Sequence, residues 1–296
     1  MFLGLDLGTS GLKGIVINDR QEVLAEASAP LTVSRPAEGW SEQEPSHWIA
    51  AAETVLDKLA GFGLGKVQGI GLSGHMHGAT LLDASDNVLR PCILWNDTRA
   101  HVEAARLDAD PRFRALSGNI VFPGFTAPKL DWLRKHEPDV WAKVAKVLLP
   151  KDYLRLWLTG EHVAEMSDAA GTSWLDTGKR AWSRELLEAT GLTVEQMPGL
   201  VEGTDRAGTL RAELAEKWGL GSDVVVAGDL HEMVGMGKER VEARRIAGAD
   251  EGREADQPDE PATVRDLADH LVVEIARRLV NGERVGVRDD EGQFIL

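Results

Sequence analysis

Short apolar runs open the chain: FLGLDL, then LKGIVI, then EVLAEASA, separated by a glycine-rich turn and by Asn18-Asp19. Runs of this length bounded by turn residues predict consecutive strands over residues 2–6, 12–18 and 22–28. The period then changes. In EPSHWIAAAETVLDKLAG the apolar residues Trp48, Ala51, Val55 and Leu59 recur at helical spacing, with Pro45 near the start and Gly61 at the end. VQGIGLSG predicts a buried strand, GATLLDASDNVL a hairpin and PCILWND a further strand. TAPKLDWLRKHEP, PDVWAKVA, KDYLRLWLTG and RELLEATG predict helices, and DVVVAGD another buried strand with an acid at its end. Strands followed by alternating helices and strands make an α/β pattern. Ligands of such folds gather at the carboxyl ends of strands, where the pattern puts Asp6, His75, His77, Asp97 and Asp229.

Composition narrows the function classes. At 296 residues, 43 % of them hydrophobic, the chain is long enough for about two domains and at least one large core. No run approaches the ~20 apolar residues of a membrane span, and Met1 leads directly into a strand, with no signal-peptide pattern. A net charge of −15 argues against nucleic acid as a partner. The single cysteine, Cys92, excludes an internal disulfide framework and suits a reducing cytoplasm. All nine tryptophans lie between Trp40 and Trp218, whereas from Asp229 onward 17 acids face 10 bases. The run GADEGREADQPDEP predicts an irregular acidic linker. The expected domains are therefore 1–228, a linker over 229–261, and a terminal unit over 262–296 with one capped helix and a hairpin.

The first turn, DLGTSGLK, supports two readings. One is a plain hairpin, in which the glycines permit a tight turn. The other is a phosphate clamp: Gly8 and Gly11 let backbone N–H groups approach an anion, Thr9 and Ser10 add hydroxyls, Lys13 adds a charge, and Asp6 orients a metal or its waters. It is not a Walker A loop, because that motif opens a helix and this turn lies between strands. HMH at 75–77 offers two imidazoles at i, i+2, but spacing places no third metal ligand, so a substrate loop is favoured over a zinc site. WND at 95–97 reads as a core-anchoring Trp95 with Asp97 facing a ligand. SDAAGT at 167–172 reads as an N-cap and turn, Lys129 and Trp132 as a lysine stem packed beside an indole, and GFGLG at 61–65 as a helix end rather than a nucleotide loop.

Taken together and in order, these segments resemble the FGGY family of carbohydrate kinases. DLGTSGLK is similar to the family's first phosphate loop, and WSEQEP with Trp48 to its early acidic-aromatic segment. GHMHGATLLD, ILWNDTR, PGFTAPKLDWLRKH, LLPKDYLRLWLTG and MSDAAGTSWLD follow at the family's spacing, over residues 1–228. The resemblance implies an actin-like, ribonuclease-H-like fold in two closing domains and ATP-dependent phosphorylation of a ketose, D-xylulose to its 5-phosphate, with Mg2+. It assigns Met76 and His77 to the sugar, Gly8, Thr9, Ser10 and Gly11 to phosphate, Asp6 to the metal through water, and Asp229, as the nearest match, to the base; the reading of the residues adds Lys13 to the phosphate set and Asp97 to the sugar set. A homodimer in the cytoplasm is the expected assembly.

After VVVAG the resemblance weakens. GDLHEMVGMGKERVEARR stands where the family carries a Gly-rich segment with its catalytic aspartate, and Asp229 is the nearest match. The family's second signature is missing, and a frameshift, a truncated gene or a fusion would each produce that pattern. Three readings stay open: an active kinase, a ketose-binding relic without turnover, and a regulatory or assembly role in which the terminal helix pairs a partner.

Overall fold

The computed structural model describes residues 1–20 and 22–228. The expected linker, the terminal helix and hairpin, and Asp229 lie outside the described residues. The first three strands, β1 (Phe2–Leu7), β2 (Gly11–Ile17) and β3 (Val23–Pro30), form an antiparallel meander with Asp6 opposite Lys13. After the short β4 (Glu42–Gln43), helix α1 runs Pro45–Ala60 and buries Trp48, Ala51, Ala52, Val55, Leu56 and Leu59 along one stripe, as its 3.6-residue period requires. The chain returns through β5 (Gly69–Gly74), parallel to β1.

Beyond β5 the elements shorten: β6 (Thr80–Leu82), β7 (Cys92–Ile93), α2 (His101–Asp108), α3 (Pro111–Ser117), α4 (Thr126–His136) and α5 (Pro138–Trp141). Two expectations change here. PCILWND holds only two strand residues, and they pair with β4 rather than with the main sheet. PDVWAKVA gives only a four-residue helix, because the backbone turns toward the next strand after Trp141. There follow β8 (Lys146–Leu148), α6 (Pro150–Thr159), β9 (Val163–Glu165), α7 (Met166–Ala170), β10 (Leu175–Asp176), β11 (Ala181–Trp182) and α8 (Arg184–Ala189). The described chain closes with β12 (Gly199–Val201), β13 (Arg206–Thr209), α9 (Ala212–Trp218) and β14 (Val225–Ala227).

The main sheet has the order β13-β14-β5-β1-β2-β3, in which β1, β5 and β14 run parallel. Two large apolar cores and two small clusters result among the described residues. Leu3, Leu5, Leu7 and Leu12 of the sheet pack with Trp48 and Val55 of α1 and Leu154 of α6. Ala79, Leu81, Phe113, Leu130 and Trp174 form the second, among the helices α2 to α4 and their neighbours. Leu72 of β5 belongs to the first core and Ala79 to the second. The segment His75–Gly78 is therefore the bridge between cores, at the carboxyl end of a parallel strand.

Candidate functional site

The first turn is a hairpin, and it is also held in a way that suits an anion. Gly8 N–H donates to the Gly11 carbonyl at 3.0 Å, closing the link between β1 and β2. A side chain on Gly11 would put its Cβ 2.9 Å from the Ala29 carbonyl oxygen of β3, so that strand leaves no room for one. The turn's carbonyls are engaged by neighbours: Gln43 Nε2 donates to Thr9 O at 2.8 Å, and Leu31 N–H to Ser10 O at 2.9 Å. Carbonyl lone pairs tied up in this way do not repel an incoming phosphate. Trp95 Nε1 donates to the Thr9 hydroxyl at 3.1 Å, and the buried Trp48 indole donates to Gln43 Oε1 at 3.1 Å. Gln43 and Trp95 thus support the turn from behind, a role that sequence reasoning missed; the one hint was the WSEQEP segment that contains Gln43.

Asp6 is exposed within an otherwise buried strand, and its Cα neighbours across the sheet are Lys13 and Ser73. Paired positions share a face, so the carboxylate stands beside the turn's open side. Lys13 departs from its expected place: its Nζ pairs with Glu26 at 3.1 Å instead of reaching into the turn. Among the described residues no group of three or more His, Cys, Asp or Glu side chains could hold a metal ion. A lone carboxylate cannot sequester Mg2+. It fits an ion that keeps several waters and arrives on phosphates, which is the outer role expected of Asp6.

The second part of the site is the HMH loop. His77 has φ +65°, and Gly78 N–H donates to the Met76 carbonyl at 2.8 Å across it. This is a γ-turn of the rarer, strained hand, held at a non-glycine residue at a cost on the order of 1–3 kcal/mol. Three contacts maintain it. Lys129 Nζ donates to the His77 carbonyl at 2.8 Å and also to that of Gly124; the Thr126 hydroxyl donates to His77 O at 3.2 Å; and His77 Nδ1 lies 3.0 Å from the Gly171 carbonyl. Because a carbonyl only accepts, Nδ1 carries the proton and Nε2 is left as an acceptor. Burial, then the Lys129 charge, hold the imidazole pKa down at about 4, so the ring is neutral near pH 7. Phe125 packs on it with ring centroids 4.7 Å apart, and Phe122 stands 4.2 Å from Phe125.

His75 has a different environment. Both its ring nitrogens are sealed from solvent without a hydrogen-bond partner, and the ring meets Trp48 edge-on at 5.4 Å. Burial is the main cause that lowers its pKa to about 4. Lys129 also departs from its expected role. It is fully buried, and its ammonium reaches the loop carbonyls rather than lying along an indole. Trp132 instead meets Trp40 edge-on at 5.5 Å and stacks on His136 at 4.7 Å.

The WND roles are exchanged relative to expectation. Trp95 is 47 % exposed, whereas Asp97 is 1 % exposed. Asp97 Oδ2 accepts from Ser41 N–H at 2.6 Å, and Arg99 grips the carboxylate with Nη2 at 2.7 Å and Nε at 3.0 Å. That leaves the carboxylate no geometry for a sugar hydroxyl; Asp97 clamps the loop to the β4 segment. Arg99 continues to Glu42 at 2.7 Å and lies 3.6 Å from the centroid of the Trp40 ring.

The SDAAGT segment forms the third wall. Its cap is Glu165, not Ser167: the Glu165 carboxylate accepts from Ser167 N–H at 2.7 Å and Asp168 N–H at 3.2 Å. Lys151 of α6, fully buried, pairs with Asp168 at 2.7 Å and so pins α7, with Gly171 at its end, against α6. Deeper in, Arg155 bonds Asp152 and the Val163 carbonyl, each at 2.7 Å, and donates to the Gly228 carbonyl beyond β14. Burial raises the Asp152 pKa despite that partner.

The profile of the FGGY family of carbohydrate kinases, N-terminal domain, matches residues 1–235. The xylulose kinase of Escherichia coli K12 is 51 % identical over 230 residues, which cover 77 % of this chain and 48 % of that protein. The Lactococcus lactis xylulose kinase is 42 % identical, with 76 % and 46 % covered. Among solved structures, a xyloylose kinase from Brucella ovis superposes with TM-score 0.75 at 62 % identity, covering 77 % of this chain and 48 % of that one. A xylulose kinase from Rhodospirillum rubrum gives TM-score 0.73 at 31 % identity, with 77 % and 48 % covered. The chain therefore spans about half the length of the relatives it matches. Over that span the matches agree on one assignment: the chain belongs to the FGGY family of carbohydrate kinases.

Proposed function

We propose that the described residues are the sugar-binding half of a xylulose kinase, which holds D-xylulose at the His77 loop and presents the first turn to the phosphates of MgATP. The observation that carries the reading is the fixed tautomer of His77. With Nδ1–H bonded to Gly171 and the ring neutral, Nε2 accepts a hydrogen bond from a sugar hydroxyl without competition from its own proton. Met76 supplies an apolar neighbour on the same loop, and Thr9 and Ser10 present the first turn's backbone N–H and hydroxyl groups to phosphate, in a turn that the Gly8 N–H closes on Gly11. Asp6 contacts the waters of Mg2+, which when bound neutralises charge developing on the transferred phosphoryl group. Asp97, by contrast, serves the site by holding the loop before α2.

In the reaction, a sugar hydroxyl oxygen bonds the γ-phosphorus, the bond to the β,γ-bridging oxygen breaks, and ADP leaves. The hydroxyl proton passes to a carboxylate, for which the family resemblance supplies Asp229. The resemblance also assigns most of the ATP site to a second domain, and this chain matches 48 % of its Escherichia coli relative. Sugar binding is accordingly the property expected of these residues by themselves, and turnover is not. A cytoplasmic location and a homodimer complete the reading; light scattering tests the latter.

Calorimetric titration of D-xylulose into the chain and into His77→Ala tests the core claim. Loss of one hydrogen bond costs ~1 kcal/mol, or more when a buried group is left unpaired, so roughly fivefold or greater weakening is expected. Equal affinities would remove His77 from the site.

A further inference from the structure

Among the described residues, Lys129 is the one buried cation that hydrogen-bonds the strained residue of the HMH loop. It starts 52 residues away in sequence, lies within α4 with no exposed surface, and ends on the carbonyls of His77 and Gly124. A lysine is seldom buried without a carboxylate partner, because desolvating the charge is costly. Here the compensation comes from carbonyl dipoles, and one of these belongs to the residue whose φ of +65° places the imidazole. The Thr126 hydroxyl supports the same carbonyl from one turn earlier on α4.

We infer that Lys129 is a positioning residue for ketose binding: its protonated ammonium holds the His77 γ-turn, and deprotonation relaxes the turn and weakens the sugar site. The inference rests on the reading of the His77 loop as the ketose site. It goes further in giving that site a built-in dependence on pH.

The surrounding groups leave Lys129 as the one among them that titrates near neutrality. Cys92 on β7 has its thiol pushed up to about 12 by burial and stays neutral. Asp97 and Arg99 face the lysine paired with each other at 2.7 Å. His75 and His77, each with a pKa of about 4, are already neutral. Burial, opposed by the Asp97 charge and assisted by that of Arg99, brings Lys129 down to about 7. Its charge is present below that pH and lost above it. A charge-assisted hydrogen bond is about twice as strong as a neutral one, so the turn loses its strongest tie as pH rises.

Two measurements on the intact chain test this. D-xylulose affinity by calorimetry, from pH 6 to 9, should weaken roughly tenfold across pH 7, the loss expected for one charged hydrogen bond. In Lys129→Met it should be weaker at pH 6 and flat with pH. The ring signals of His77, followed by NMR without sugar, should shift in a step near pH 7 in the wild type and not in Lys129→Met. Wild-type His77 signals flat from pH 6 to 9 would overturn the inference by themselves, whether or not the variant folds. Wild-type affinity unchanged with pH would also overturn it. A His77 step without D-xylulose binding at any pH would leave the Lys129 switch standing and would refute the ketose reading instead.

Discussion

Replacing Gly171 by alanine is the smallest change that should empty the sugar site while leaving the fold intact. Gly171 ends α7 with φ −71° and ψ −3°, a conformation alanine adopts freely, so no backbone strain enters. At such positions alanine usually adds ~0.4–1 kcal/mol of stability by restricting the unfolded chain. The new methyl, however, would lie 2.3 Å from Cε1 and 2.6 Å from Nδ1 of His77. Relief to an ordinary 3.4 Å contact needs a ring displacement of about 1.1 Å, the difference between 3.4 and 2.3 Å. The ring cannot absorb this easily: Phe125 packs on it, and its backbone is held by Lys129 and Thr126. The displacement breaks the bond from Nδ1 to the Gly171 carbonyl, worth ~1 kcal/mol, and overpacking adds ~1–3 kcal/mol. The expected result is D-xylulose affinity reduced at least tenfold, with the fold retained and the melting temperature lowered by several degrees. Calorimetry and circular dichroism read the two quantities. Undiminished affinity would mean that the ring moves aside without consequence, and that its observed pose is irrelevant to binding.

Four further outcomes are expected. Asp97→Ala leaves the buried Arg99 with Glu42 alone as ion-pair partner and Ser41 N–H without its acceptor, and should lower stability by about 1–3 kcal/mol in urea unfolding, whereas an Asp97 that only touched sugar would leave stability unchanged. Acid should destabilise the fold through His75: unfolded it binds a proton below ~6.5, folded only below about 4, so stability falls as pH drops between those values, by about 3 kcal/mol at 1.36 kcal/mol per unit. The gap between unfolding midpoints at pH 6.5 and 4.5 should therefore narrow in His75→Phe, the part due to His77 remaining, and an unchanged gap would refute the assignment. Gly11→Ala should push β3 away from the first turn, detected as faster amide exchange at Leu31, whose N–H bonds Ser10. Finally, the chain alone with MgATP and D-xylulose should release little ADP in a coupled assay; turnover near the ~10 s⁻¹ typical of enzymes would show that this chain completes the phosphate site unaided.

Much of this architecture was legible because it is local. The β1–β2 hairpin, the stripe of α1 and the buried β5 follow from periods of 2 and 3.6 and from turn residues. The glycine-rich first turn and the HMH loop were also singled out, since glycines and histidines at the carboxyl ends of strands stand out. The errors share one cause, tertiary context. Strand pairing stops at Ile93, so the alternation that would predict which way Trp95 and Asp97 face lapses just before them. Lys129 was assigned to its helical neighbour, yet its partners lie 5 and 52 residues away. Glu165 replaced Ser167 as a cap because Lys151 and Asp168 fix the start of α7. No propensity encodes such pairings.

The site's floor contains more buried charge than stability alone explains. Lys129, Lys151, Asp152, Arg155, Glu165 and Asp168 are all sealed from water. Replacing buried ion pairs with apolar residues is often neutral or stabilising, so these groups need another reason to be there. Geometry supplies one for the HMH loop and for the SDAAGT wall. An apolar side chain at 129 could fill the same space, but it could not bond two carbonyls and thereby hold a non-glycine residue at positive φ. An apolar pair at 151 and 168 could join α6 to α7 but would let the helices slide, and Gly171 must stay within 3.0 Å of an imidazole nitrogen. Directional, desolvated bonds resist such sliding because each breaks over a fraction of an ångström. The buried charges fix one tautomer and one ring position at the junction of two apolar cores, and those are the properties a neutral hydrogen-bond acceptor needs in order to choose one hydroxyl of a sugar over its neighbours.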